Sequence, residues 1–225
     1  MTPRTKEQNE EIRLRRIGEI LRASAEVYLD KGILLEIRDV AAAAELGYGT
    51  VYHYYKNKSD LLSDMLHQAM DRAEALWDVL RSAKGRNSEV DESLTDGGAR
   101  MLAEVCTVLL RTWEADRALF LACHLGTEQY RTLPGEVAAQ LIEAYQTKLL
   151  LPLAVIMEAR SSTSANKARS PAALAVSAPE RQAEWLLAAL AACALPSLRR
   201  GTIREDQDGI TRFMSGIGSE WRNHS

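Results

Sequence analysis

Long apolar runs and phenylalanine are scarce in this chain of 225 residues, which has only 2 Phe. No apolar run approaches the roughly 18 residues that cross a bilayer. The charged N-terminus, MTPRTKEQNEEIRLRR, lacks the apolar segment of a signal peptide. We therefore expect a cytoplasmic protein with no membrane partner.

Strand signals are also rare, because residues seldom alternate between apolar and polar and no Asn-Gly or Asp-Gly pair joins two alternating segments. Helical spacing of apolar residues occurs along almost the whole chain. Apolar residues are 46% of the total, which is enough for a sizeable core. The sequence thus predicts an all-α protein.

The three cysteines are odd in number and none lie in a C-x-x-C spacing. Cys106, Cys123 and Cys193 are therefore expected to be reduced, buried thiols, with a redox sensor as the alternative. Neither these residues nor the 4 His match a metal-binding spacing, so no metal and no cofactor are predicted.

Catalytic signatures are missing as well. The sequence contains no G-x-S-x-G, no Gly-rich phosphate loop and no H-E-x-x-H. We predict no catalytic residues and no enzyme. An all-α enzyme and a helical adaptor that binds only protein remain the contrary hypotheses, which DNA retention with a steep salt dependence would exclude.

Net charge gives no sign of a nucleic-acid partner, because it is −3 overall and residues 1–60 hold 10 basic and 10 acidic residues. Any DNA binding must come from the local placement of charge.

Apolar periodicity and breaking residues divide the chain into helices and loops. Pro152 should kink the longest helix. Loops are expected over 84–93 and over the Ser-, Ala- and Pro-rich segment 160–179. Helices are predicted over 8–29, 37–44, 47–55, 58–83, 98–114, 116–131, 134–159, 180–200 and 204–221. We assign 1–60 to an N-terminal three-helix domain and 61–225 to a C-terminal helical domain.

The segment GYGTVYHYYKNKSDLL, from position 47 to 62, concentrates aromatic residues that a short helix cannot bury on every side. Val51 and Tyr55 are four residues apart and can share the core face. Tyr48, Tyr52, His53 and Tyr54 are then predicted to face outward, where such groups can contact phosphates and thymine methyls.

Two short helices joined by a three-residue turn, the second carrying polar aromatic residues, indicate a helix-turn-helix. Gly47 and Gly49 carry no side chains, so the backbone could approach a DNA groove closely. The alternative is a corner between two helices whose tyrosines pack on the second domain.

The stretch LEIRDVAAAAELGYGTVYHYYKNKSDLL resembles the DNA-binding domain of the tetracycline-repressor (TetR) family. The resemblance rests on Val40-Ala41, on GTVYHYY at 49–55 and on Lys58 followed by Leu61, and it covers about residues 10–65. Beyond that segment the chain resembles the family only in being helical.

The resemblance implies roles for the matching positions. Val51 and Tyr55 resemble the family's core pair, and Tyr52 and Lys58 resemble its phosphate contacts. Thr50, His53 and Tyr54 resemble positions that meet bases or backbone, and Arg38 lies where helix two reaches DNA. The expected DNA-binding residues are Arg38, Gly47, Tyr48, Gly49, Thr50, Tyr52, His53, Tyr54 and Lys58.

This chain departs from the family pattern at the turn. Glu45 stands where the family has Gly, and a side chain in a left-handed turn costs about 1 kcal/mol. Glu45 also brings negative charge close to the expected phosphates. Gly47 is a weaker helix cap than Ser, and Glu36 stands where a Thr or Ser cap is usual.

The resemblance also implies that the second domain forms a homodimer. The last helix carries an apolar stripe, and the helix before it, EWLLAALAACAL, has small residues that permit close approach. Packing within one chain is the alternative. The expected interface residues are Trp185, Leu186, Ala189, Ile210, Phe213, Met214, Ile217 and Trp221.

A pocket for an unidentified small-molecule effector is the other implied feature, with ordinary core packing as the alternative for each residue. The candidates share inward positions on the middle helices and aromatic or thioether groups suited to an apolar ligand. They are Met101, Cys106, Leu109, Trp113, Phe120, His124, Tyr145, Leu149 and Met157. The function expected is a ligand-responsive repressor that binds a near-palindromic DNA operator as a homodimer.

Overall fold

The computed structural model describes residues 6–82, 97–164 and 179–223, and the side chains among them except those of 97, 160–164 and 217–223. Every regular element in these ranges is helical, which confirms the all-α prediction. None of the helices in these ranges is long and apolar enough to cross a membrane. The α-helices are α1 Lys6–Lys31, α2 Ile37–Ala43, α3 Tyr48–Tyr54, α4 Lys58–Ser82, α5 Gly97–Ala115, α6 Arg117–Thr127, α7 Gly135–Tyr145, α8 Leu151–Ser164, α9 Pro179–Arg200 and α10 Ile203–Asn223.

The predicted helices are all present, with ends that differ by a few residues. The largest difference is in the segment 160–179, where α8 continues to Ser164 instead of giving way to a loop at 160. The loop predicted over 84–93 and the remainder of the 160–179 loop, up to 178, lie outside the described residues.

The N-terminal three helices and the start of α4 enclose a small core. Ile20 and Tyr28 of α1 meet Val40 of α2 and Val51 of α3 there, all of them buried. Ser24 interrupts the apolar stripe of α1 without cost, because its hydroxyl donates to the carbonyl of Ile20 at 2.7 Å. The period of the stripe thus determines which face of α1 is covered.

Helix α6 lies at the centre of the second domain, packed against α1, α4, α5, α7 and α9. Almost all of its residues are buried. It begins after Asp116, whose carboxylate accepts from the backbone N–H of Leu119 at 3.1 Å and also pairs with Arg72 of α4 at 2.7 Å. One capping residue therefore both starts α6 and ties it to α4.

The interruption predicted from Pro152 takes the form of a π-helical turn, Gln146–Leu150, between α7 and α8. Pro152 has no N–H to donate to the carbonyl of Lys148, four residues earlier. The indole N–H of Trp77 in α4 donates to that carbonyl at 2.7 Å, and the Lys148 ammonium pairs with Asp71 of α4. The irregular turn is thereby fastened to α4 at two points.

Helices α9 and α10 close the domain, and α10 packs along α5. Their junction is held by the Asp206 carboxylate, which accepts from the hydroxyls of Ser197 at 2.5 Å and Thr202 at 2.8 Å. These hydrogen bonds lower the pKa of Asp206, and the bond from the Ser197 hydroxyl has the largest effect.

The bond between Trp77 and Lys148 leads to a prediction about stability. Trp77→Phe should destabilise the protein by removing both packing and a hydrogen bond, and the bond's share should be about 1 kcal/mol. In a Pro152→Ala background, residue 152 gains an N–H that can take over the Lys148 carbonyl. Trp77→Phe should then cost about 1 kcal/mol less, as measured by urea unfolding of all four proteins. Equal costs in both backgrounds would contradict this account.

Candidate nucleic-acid interface

The turn between α2 and α3 is a Schellman motif. The N–H of Leu46 bonds to the carbonyl of Ala41 at 2.9 Å, and the N–H of Glu45 bonds to that of Ala42 at 3.1 Å. The motif needs a left-handed residue, and Glu45 takes that conformation with φ of 55°. Glu45 therefore occupies the position where its backbone is least favourable, as the sequence predicted.

Helix α2 begins with a cap that the sequence analysis missed. The carboxylate of Asp39 accepts from the backbone N–H of Glu36 at 3.1 Å and pairs with Lys31 at 2.8 Å. The bond from Lys31 is the main cause, and the bond from Glu36 the second, of the lowered pKa of Asp39. Asp39 thus satisfies one backbone N–H at the start of α2, where no Thr or Ser cap is present. An acidic residue in the first turn of a helix is the sequence feature that could have predicted this bond.

Two buried side chains fix the orientation of α3. Val51 and Tyr55 are buried, as expected for the core pair. The Tyr55 hydroxyl donates to the carboxylate of Asp64 in α4, and Gln68 donates to the same group at 2.9 Å. Burial, and then the bond to Asp64, raise the pKa of the Tyr55 phenol, which stays protonated. Helices α3 and α4 are therefore joined as one unit.

The opposite face of α3 carries the exposed aromatic residues. Tyr48 and Tyr52 are 53% and 43% exposed, and their rings stack with centroids 5.6 Å apart. His53 is exposed and meets the ring of Tyr54 edge-on at 5.5 Å. Tyr54 is only half-buried against the core, so its ring is shared between the core and the surface.

Small residues complete this face. Thr50, Gly47 and Gly49 are exposed. A Cβ at Gly49 would meet nothing within 4 Å, and one at Gly47 would meet only the Thr50 hydroxyl at 3.8 Å. Packing within the chain therefore does not require either glycine, and the space beside α3 is open to a partner.

The two cations predicted to face DNA are exposed, but each already has a contact. The Lys58 ammonium donates to the carbonyl of Ile33 at 2.8 Å, which links the start of α4 to the turn after α1. The guanidinium of Arg38 pairs with Glu36 at 2.7 Å, with 73% of the Arg38 side chain exposed. Both charges remain at the surface beside α2 and α3.

The predicted effector residues gather in the interior of the second domain. Trp113 meets Phe120 edge-on at 5.3 Å, and Phe120 stacks on His124 at 5.6 Å. Met101 and His124 are half-buried, and the others are buried: Cys106, Leu109, Trp113, Phe120, Tyr145, Leu149 and Met157. Seven of the nine are thus packed as core residues are.

Polar atoms in this interior remain unsatisfied. The Tyr145 hydroxyl has no hydrogen-bond partner, and neither does the Trp113 indole N–H, apart from a weak interaction with the Cys123 thiol. Burial lowers the pKa of His124 and raises that of Cys123 to about 12, so both are neutral near pH 7. An unsatisfied buried hydroxyl costs about 1–3 kcal/mol, which a ligand's polar atom could offset.

The residues predicted for the dimer interface differ in how far they are exposed. Trp185 and Phe213 are 41% and 59% exposed, and Ala189 is exposed. Leu186 and Met214 are buried within their own chain, so they do not present a surface to a second chain. Ile210 is half-buried against the core. The side chains of Ile217 and Trp221 lie outside the described residues.

Contacts between α1 and the second domain were not foreseen from the sequence. Glu26 pairs with Arg117 of α6 at 3.6 Å. The carbonyl of Leu29 accepts from the guanidinium of Arg199 in α9 at 3.0 Å. The turn after α6 contacts α1 where the hydroxyls of Thr132 and Tyr28 lie 3.4 Å apart, and it holds two consecutive left-handed residues, Gln129 and Tyr130. No local pattern marks these partners, because they are far apart in the sequence.

A comparison with family models matches residues 20–65 to the bacterial regulatory proteins of the tetR family. No match was found among curated proteins.

Several solved structures share the fold over most of their length. FadR, a fatty acid degradation regulator from Bacillus halodurans, is 16% identical with a TM-score of 0.55, covering 88% of this chain and 94% of its own. AibR, solved with isovaleryl coenzyme A and operator DNA, has the same identity and TM-score and covers 88% and 97%. FadR from Bacillus subtilis, solved with stearoyl-CoA, is 15% identical with a TM-score of 0.52, covering 88% and 96%. At these identities the likeness shows the fold.

The strained turn leads to a second prediction. Glu45→Gly should stabilise the protein by about 1 kcal/mol, because glycine adopts the left-handed conformation without a steric penalty. The measurement is the midpoint of urea unfolding. Glu45→Gln is the matched control, since it removes the charge and keeps the strain. If the glycine and glutamine variants are equally stable, backbone strain at this position is not significant.

Proposed function

We propose that this chain, whose residues 20–65 match the bacterial regulatory proteins of the tetR family, is a transcriptional repressor that binds a near-palindromic DNA operator as a homodimer. It would act in the cytoplasm and be released from DNA by a small, mainly apolar effector. The observation that carries the proposal is the aromatic face of α3, exposed on one side and fixed by buried Val51 and Tyr55 on the other.

The side chains around α3 suit the roles that the family implies. Tyr52 and Lys58 offer donors to phosphate oxygens, which set position without reading sequence. Thr50 and His53 lie on the exposed part of α3 and can reach base edges. Arg38 can extend from α2 toward the same groove, once a phosphate or base replaces Glu36 as its partner.

The small size of α3 favours binding as a homodimer. A helix of 7 residues is about 10 Å long and reaches only a few base pairs, so specific binding calls for two of them. Trp185, Ala189 and Phe213 supply an exposed apolar surface on α9 and α10 for the contact between chains. A two-fold axis there would make the operator a near-palindrome.

The effector is proposed to bind in the interior around Trp113, Phe120 and Tyr145. The apolar part of the effector would pack against these side chains in place of some of their contacts with one another. A polar atom of the effector would form a hydrogen bond with the Tyr145 hydroxyl, which has no partner. Acyl-coenzyme A thioesters are the first class to test, because AibR and the Bacillus subtilis FadR were solved with such ligands. The effector would act through α4, which links this interior to α3.

DNA selection tests the function. The chain should enrich a near-palindromic sequence from a pool of random duplexes, and the complex should contain two chains per operator by sedimentation. Binding should weaken steeply with salt, because cation contacts to phosphates release counterions. Failure to retain any DNA at low salt would overturn the proposal and favour the adaptor or the enzyme.

An effector test follows from linkage. An acyl-coenzyme A that releases the protein must bind the DNA complex more weakly than the free dimer, by the same factor by which it weakens DNA binding. Calorimetry with and without operator gives both affinities. Trp113→Ala should weaken the effector and leave effector-free DNA binding intact. Equal effector affinity in both states would contradict release by this mechanism, and loss of DNA binding in the variant would make Trp113 a structural core residue only.

A further inference from the structure

Lys56 forms a column with two of the exposed tyrosines. Tyr48 and Tyr52 are four residues apart and lie along one side of α3, and Lys56 follows α3 in the short connection to α4. The Lys56 ammonium lies 4.6 Å from the centroid of the Tyr52 ring, and the Tyr48 ring stacks on the other tyrosine with an interplanar angle of 21°. All three side chains are exposed.

The Lys56 ammonium has fewer polar contacts than the neighbouring cations. Lys31 and Arg38 pair with carboxylates, and Lys58 donates to a backbone carbonyl. No carboxylate in the described parts of the chain forms an ion pair with Lys56. The Tyr52 ring holds its ammonium by a cation–π contact, which leaves its hydrogen-bond donors available.

Holding the ammonium over a ring also restricts a flexible side chain before any partner arrives. A lysine side chain normally loses conformational entropy when it forms a fixed contact with a partner. Because the aromatic contact already orders Lys56, less entropy is lost on binding. Tyr52 is the residue expected to touch a phosphate, so Lys56 is held next to the same point. A phosphate oxygen there could accept from the phenol and the ammonium together.

We propose that Lys56 is a phosphate-binding residue of the DNA interface and that the stacked rings of Tyr52 and Tyr48 position it. Lys56 would act beside Lys58, whose ammonium also links the start of α4 to the carbonyl of Ile33. The inference rests on the proposed DNA-binding function and adds a residue to its site.

Salt dependence of binding to a random-sequence duplex tests the role without knowledge of the operator. Lys56→Gln should lower the slope of log affinity against log salt by about 0.9 for each bound chain. Between 50 and 200 mM salt, the variant should lose about 3-fold less affinity per chain than the parent protein. Lys56→Arg, the matched control, keeps the charge and should keep the slope. Thermal unfolding should be unchanged in both.

A double-mutant cycle tests the positioning. Tyr52→Phe keeps the ring, so Lys56→Gln should weaken DNA binding as much in that background as in the parent protein. Tyr52→Leu removes the ring, and Lys56→Gln should then have less than half its former effect on a logarithmic scale. Equal effects in the Phe and Leu backgrounds would overturn the positioning role.

Lys58→Ala completes the comparison, and it should lower thermal stability, which Lys56→Gln should not. An unchanged slope in Lys56→Gln, with the parent protein still binding the duplex, would overturn the phosphate assignment alone. If the parent protein bound no DNA at any salt concentration, the proposed function and this inference would both be wrong.

Discussion

Helix α4 is the constraint on which the arrangement of both domains depends. It is a single helix of 25 residues, buried along one face from Leu61 to Leu80. At its start Asp64 accepts from Tyr55 at the end of α3, and near its end Trp77 donates to the carbonyl of Lys148, to which Pro152 has no N–H to donate. Because both bonds are made to the same helix, a packing change around the π-helical turn that tilts α4 also acts on α3 or strains these two bonds. In the proposed homodimer, α4 would therefore be the path by which a ligand alters the separation of the two α3 helices.

The contacts of α1 with α6 and α9 restrict that movement. Arg199 donates to the carbonyl of Leu29, and Arg117 pairs with Glu26. The N-terminal domain is therefore attached to the second domain at two places besides α4. Beside them the turn at Gln129 keeps a left-handed backbone that a non-glycine residue adopts at a cost of order 1–2 kcal/mol. A strained turn next to a domain boundary is a place where two arrangements can have similar free energy, since relieving the strain offsets the loss of contacts. If the proposed function is correct, coupling between an effector and DNA would need no large rearrangement of the core.

Local patterns were sufficient for the fold and for the face of α3, because both follow from period and spacing. Val51 and Tyr55 share a face by their separation alone, and the strain at Glu45 follows from its place in the turn. Tertiary partners could not be predicted in this way. Nothing near Pro152 in the sequence indicates that a tryptophan 75 residues earlier would satisfy the Lys148 carbonyl, and the apolar stripe of α10 could not separate buried Met214 from exposed Phe213. A stripe gives the side of a helix, whereas burial depends on which neighbour covers it.

The charge of the first domain bears on how such a protein would discriminate among DNA sequences. Residues 1–60 carry 10 basic and 10 acidic residues, and Glu36, Glu45 and Asp39 all lie close to α2 and α3. Non-specific affinity comes almost entirely from phosphate neutralisation, so a domain without net positive charge binds random DNA weakly. Specific binding must then depend on the few donors placed on α3 and beside it, and their contribution is reduced by the cost of separating Arg38 from Glu36. Weak non-specific binding raises the ratio of specific to non-specific affinity, which is the quantity that determines occupancy of one operator among many competing sites. An interface with little net charge and several fixed hydrogen-bond donors favours a high ratio of specific to non-specific affinity over a high affinity for DNA in general.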